Sequence, residues 1–87
     1  MTSPAHKIRF GVLQITIWRN PSEKGYWYSA IPSRSYKKGD DAWSETDSLG
    51  FDDLLTMAKL LDEAHSWIAA QQKADAKARK KAAAAEA

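Results

Sequence analysis

Only one stretch of this chain carries a helical period, and it comes after everything else. At about 100° per residue, Phe51, Leu54, Leu55, Met57, Ala58, Leu60, Leu61, Ala64, His65, Trp67 and Ile68 spread over roughly 240° of a helix circumference. Thr56, Lys59, Glu63 and Ser66 fill the remainder. A helix lying on a single sheet needs only about half that arc. The pattern therefore predicts one helix over residues 51–72 with two apolar jobs. Leu54, Ala58, Leu61, His65 and Ile68 are assigned to the chain's own sheet, and Met57, Leu60, Ala64 and Trp67 to a contact outside it. With no second helix in the chain, the simplest occupant is the same helix from another copy, in a two-fold homodimer. A sheet curling around the helix is the alternative.

The residues before the helix read as strands. KIRF alternates polar and apolar, Gly11 interrupts, and VLQITIWRN resumes with Leu13, Ile15 and Ile17 on one face and Gln14, Thr16 and Trp18 on the other. NPSEKG supplies turn chemistry, YWYSAIPSRSY forms a third strand, and KKGDD leads to a fourth, AWSETDS. Pro32 donates no ladder hydrogen bond, which places the third strand locally at an edge or at a bulge. That uncertainty in register leaves the faces of residues 26–36 open. Gly50 or Ser48 caps the helix, with Asp52 and Asp53 near the positive end of its dipole. The expected architecture is α+β: a four-stranded antiparallel curved sheet followed by one C-terminal helix, ββββα, dimerising through the helix.

Three segments follow from this pattern. Residues 1–6 read as a flexible arm and 7–72 as one domain. Residues 73–87 hold eight alanines and five basic side chains, and are expected as a helical extension or a disordered tail. At 87 residues the chain buries little core of its own, which also favours a partner subunit. It has no cysteine, so it has no disulfide framework or thiolate chemistry, and MTSPAHK lacks the apolar core of a signal peptide. A cytoplasmic location is the expectation, with no membrane partner and no cofactor.

Charge is sorted along the chain. Residues 1–39 carry seven Lys/Arg against one Glu, residues 40–63 eight acids against Lys59, and residues 64–87 five bases against two acids. The basic front half also holds six of the nine aromatic side chains. Cations interleaved with flat rings are what a single nucleic-acid strand binds, through its phosphates and its bases. The candidate contacts are Lys7, Arg9, Trp18, Arg19, Lys24, Trp27, Arg34, Tyr36, Lys37 and Lys38. A solvated basic face over an ordinary aromatic core would give the same composition.

Catalytic material is sparse. The acid pairs at 40–41 and 52–53 fall in a turn and at a helix start, where acids are favoured anyway. His65 lies among apolar positions and reads as a buried or interfacial histidine. Ser29, Ser33 and Ser35 lack the strand-turn-helix setting of a nucleophile. No enzyme activity and no metal site is expected.

The run from Phe10 to Ile68 resembles the single-stranded-DNA-binding domain of the transcriptional coactivator positive cofactor four, a family structurally related to the Whirly proteins. The resemblance rests on FG followed by VLQITIWRN, on SRSYKKG ending the third strand, and on SLG entering the helix. It covers about 60 of the 87 residues. It implies a helix-mediated dimer whose sheets bind single strands, with Tyr36, flanked by Arg34 and Lys37, and Arg19 and Lys24 near the family's contact positions. Val12 and Pro21 depart from the family pattern, which favours a basic and an aromatic residue there. The sequence is also similar to small bacterial proteins sharing IWRN, SRSYK and AHSWI. The expected function is low-specificity binding of single-stranded nucleic acid, most simply DNA, in transcription or DNA metabolism. The alternative is a protein-interaction or structural module of a mobile element, marked by an apolar patch rimmed by Asp40, Asp41, Glu45 and Asp47.

Overall fold

Each alternating segment pairs with the next. In the computed structural model, which describes residues 3–86 and side chains as far as residue 82, four strands form one antiparallel sheet in chain order. They are β1 (His6–Phe10), β2 (Leu13–Ser22), β3 (Gly25–Lys37) and β4 (Trp43–Thr46), and the helix α1 (Phe51–Glu86) follows. This is the expected ββββα order. Two-residue loops fix the first two hairpins, since Phe10 pairs with Leu13 and Ser22 with Gly25. Gly11 has φ +61° at the first loop position, as a type II′ turn requires. Gly25 has φ +128°, and a Cβ there would stand 3.2 Å from the Arg79 guanidinium. A side chain at residue 25 would thus be disfavoured by both its backbone and its neighbour.

Pro32 sits opposite Ile15 of β2. β4 pairs only with residues 34–37 of β3. The third strand is therefore an edge where the proline stands, as its missing N–H demands.

The helix packs on the face that carries Leu13, Ile15 and Ile17. These three are buried together with Met57, Leu60 and Ala64, and Ile8, Tyr28, Ala30, Leu49, Trp67 and Ile68 border the cluster. The helix phase is thus rotated from the one expected, and of the residues assigned to the sheet only Ile68 borders the core. Met57, Leu60, Ala64 and Trp67, assigned from sequence to a dimer contact, line the chain's own core. Leu54 and Leu61 are exposed instead, as are Ala58 and His65. The physical reason lies at the two ends of the seam. Asp53, Met57, Leu60, Ala64, Trp67, Gln71 and Asp75 recur every three or four residues on one stripe. That phase brings both acids onto sheet cations: Asp53 Oδ2 lies 2.9 Å from Arg34 Nε, and Asp75 Oδ1 lies 2.9 Å from Arg19. Asp53 also accepts a hydrogen bond from the Gly50 N–H at 3.0 Å, closing the helix start.

Both flanking segments are held to the sheet. The segment after residue 72 is helical to Glu86 and tied to the β2–β3 hairpin. Asp75 accepts a 2.6 Å bond from Tyr28, and Arg79 donates to the Lys24 carbonyl at 2.6 Å. The arm is tied as well from Ala5 onward, for Ala5 N–H donates to Ile17 and the His6 ring stacks on Trp67 at 4.7 Å. Residues 1 and 2 lie outside the described residues. Among the described residues no helix is long and apolar enough to cross a membrane.

Candidate nucleic-acid interface

A sheet covered by one helix on one side leaves its other side bare, and the pairing register says which residues stand there. Residues directly opposite in antiparallel strands share a face. Lys7 pairs with Thr16 and Thr16 with Ile31; Arg9 pairs with Gln14 and Gln14 with Ser33. Trp18 faces Ser29, Asn20 faces Trp27, Ser35 faces Glu45, and Lys37 faces Trp43. The helix-free face therefore carries three of the four tryptophans, Trp18, Trp27 and Trp43, with the cations Lys7, Arg9 and Lys37. Trp27 is 54% and Trp43 63% exposed. The ten residue steps of β3 from Trp27 to Lys37 span about 33 Å, so the indoles stand near opposite ends of the surface.

Polar bonds hold this face in register. Gln14 Nε2 donates to Glu45 at 3.0 Å, reaching across β3 from β2 to β4. Asn20 donates to the Ser29 hydroxyl at 3.3 Å beside Trp18. Glu45, on the edge strand β4 opposite Ser35, adds one negative charge to this face.

Half of the sequence candidates are brought together here: Lys7, Arg9, Trp18, Trp27 and Lys37. Arg19, Arg34 and Tyr36 lie on the other face, because β2 places its odd-numbered residues and β3 its even-numbered residues on the helix side. Arg34 pairs with Asp53 and borders a groove with Tyr36, Thr46, Ser48, Leu49 and Gly50. Its Nε lies close to Asp53 but is misaligned for a hydrogen bond, so the contact is ionic. Arg19 lies 3.5 Å over the Tyr26 ring and pairs with Asp75. Lys24 occupies the hairpin loop, and Lys38 starts the turn closed by its N–H bond to the Ala42 carbonyl. Trp43 was missed by sequence reasoning. Its signal was the WSET alternation, but only the β3 register could say which face it joins.

The Arg19, Tyr28 and Asp75 cluster is a structural clasp on the opposite face. Desolvation first, then the bond to Asp75 and its charge, raise the Tyr28 phenol above its ordinary value, while Arg19 pulls it down. Desolvation works against the charge of Arg19, but Asp75 and the two tyrosines outweigh it and raise its pKa. Serines and His65 do not converge: Ser29 lies on the open face, whereas His65 is exposed on the helix. Among the described residues no three or more His, Asp or Glu side chains gather as a metal-ligand set.

Compared with known proteins, the chain matches no family model, no curated sequence and no solved structure.

Proposed function

We propose that this chain binds single-stranded nucleic acid, DNA in the simplest case, on the helix-free face of its sheet. The observation that supports the reading is the presence of Trp18, Trp27 and Trp43 on one uncovered surface with Lys7, Arg9 and Lys37. Exposed indoles offer every base a stacking partner, at about 1–3 kcal/mol per stacked base, with little selection among bases. The cations hold phosphates. With three of them opposed by Glu45, stacking supplies more of the affinity than charge does. The salt slope on oligo-dT should accordingly be modest for this face, about −2 for three single-strand phosphate contacts.

The binding unit in this reading is a homodimer. Phe51 and Leu55 are 89% and 86% exposed and Leu54 and Leu61 about half so, forming an apolar stripe on the outer side of α1. Pairing of that stripe about a two-fold axis would remove it from water. Fluorescence anisotropy of labelled oligo-dT tests the function: micromolar binding is expected at low salt, and none would remove it.

A second reading, a protein-docking face, draws on the Trp43 end of the sheet. There Glu45 lies on the face and Asp40 and Asp41 occupy the adjoining turn. An acidic rim around an exposed indole suits a basic protein segment. Failure to bind oligo-dT would favour it.

A further inference from the structure

The C-terminal third of α1 carries a second basic surface, remote from the open sheet face. Lys73, Lys77, Lys80 and Lys81 are exposed. At 3.6 residues per turn they fall within an arc of about 100°, directed well away from the seam that meets the sheet. Asp75 and Arg79, on the other side of the same turns, hold the hairpin and fix the rotation of the rod.

Ordinary helix chemistry does not explain this arrangement. The residues three and four positions from each lysine are alanines or other lysines, never acids. Lys73 and Lys77, Lys77 and Lys80, and Lys77 and Lys81 are like-charge neighbours, which oppose helix formation by a few tenths of a kcal/mol per pair. Complementing the helix dipole would put cations in the last turn, yet that turn contains none. The intervening alanines supply helix propensity without shielding the charges. Upstream, Lys59 has Asp62 and Glu63 within reach at three and four residues. The repulsion is thus confined to the segment outside the hydrophobic core.

We propose that this lysine stripe is a phosphate-backbone contact, a second nucleic-acid surface that needs no exposed bases. It rests on the nucleic-acid reading of the chain and extends it to duplex DNA flanking a single-stranded segment. The span from Lys73 to Lys81 is about 12 Å along the helix. That length covers three or four successive phosphates of one duplex strand. Large apolar side chains are missing beside the stripe, where only alanines stand, so a membrane-inserting amphipathic role lacks its anchoring half.

The test uses the full chain and its K73Q/K77Q/K80Q/K81Q variant, glutamine preserving helix propensity. Anisotropy of a labelled blunt-ended duplex is measured across a salt series. The wild type should bind at low salt, and the variant should lose at least about tenfold in affinity and up to about 3.6 in log–log salt slope. Equal slopes and affinities in the two proteins, or no duplex binding by the wild type, would overturn the stripe. Sedimentation with phosphatidylserine vesicles is the parallel arm: charge-dependent vesicle binding without duplex binding would assign the surface to a membrane and also overturn it. Oligo-dT quenching of tryptophan emission reads the sheet independently. Its absence beside intact, lysine-dependent duplex binding would sink the sheet function and support the stripe.

Discussion

Trp27 and Trp43 are the residues on which the proposed chemistry turns, because large indoles held in water have no folding reason to be there. Replacing either with alanine should weaken oligo-dT binding by about 1–3 kcal/mol while leaving the thermal midpoint nearly unchanged. Glu45 acts in the opposite sense. Its carboxylate opposes an approaching phosphate, so Glu45→Gln should tighten binding at low salt, with the gain shrinking as salt rises. Titration of the same variant against oligo-dT at two salt concentrations checks both parts. On the far face, Tyr28 provides a pH signature. Its folded pKa is raised above the unfolded value, so the stabilisation is fully present below the ordinary tyrosine range and is lost as pH rises through the folded pKa. Tyrosinate absorbance should show a late step from Tyr28, and Tyr28→Phe should remove that step at a cost of about 1 kcal/mol in urea unfolding.

At the scale of elements, the hairpins and the helix start were legible because their causes are local. Gly11 and Gly25 fix the two short loops, and Leu13, Ile15 and Ile17 announce the buried face by strict alternation. The helix phase was not legible from apolar residues alone, since a 240° arc admits several burial directions. Leu54, Leu61 and Ile68 make as good an apolar stripe as Met57, Leu60 and Ala64. What breaks the tie is polar: Asp53 and Asp75 flank the second stripe and meet Arg34 and Arg19. The sides of Arg34 and Tyr36 were concealed because Pro32 left the β3 register undetermined in sequence, whereas the β2 alternation through Ile17 already put Arg19 on the buried side. Two consequences can be measured. Met57→Ala or Ile17→Ala should cost about 2–5 kcal/mol in denaturant unfolding, whereas Leu61→Ala should cost little in the monomer. Truncation after residue 72 should speed amide exchange in residues 19–28, where Asp75 and Arg79 now hold the hairpin.

Across the whole molecule the helix separates two environments. One side of the sheet is sealed by α1 and its acid anchors, and the other is left with indoles, cations and hydroxyls. The outer side of α1 changes along its length, from the apolar stripe of Phe51, Leu54, Leu55 and Leu61 to the lysines at 73, 77, 80 and 81. Self-association through the first part would leave the second part free. Sedimentation should then give twice the chain mass, and Leu54→Glu with Leu61→Glu should return it to one without unfolding. The four tryptophans give the most direct test of the central claim, because three belong to the open face and Trp67 stacks on His6 beneath the helix. In a ¹H–¹⁵N spectrum titrated with oligo-dT, the indole signals of Trp18, Trp27 and Trp43 should move and that of Trp67 should stay. Movement of Trp67 alone, or of no indole at all at saturating oligonucleotide, would contradict it.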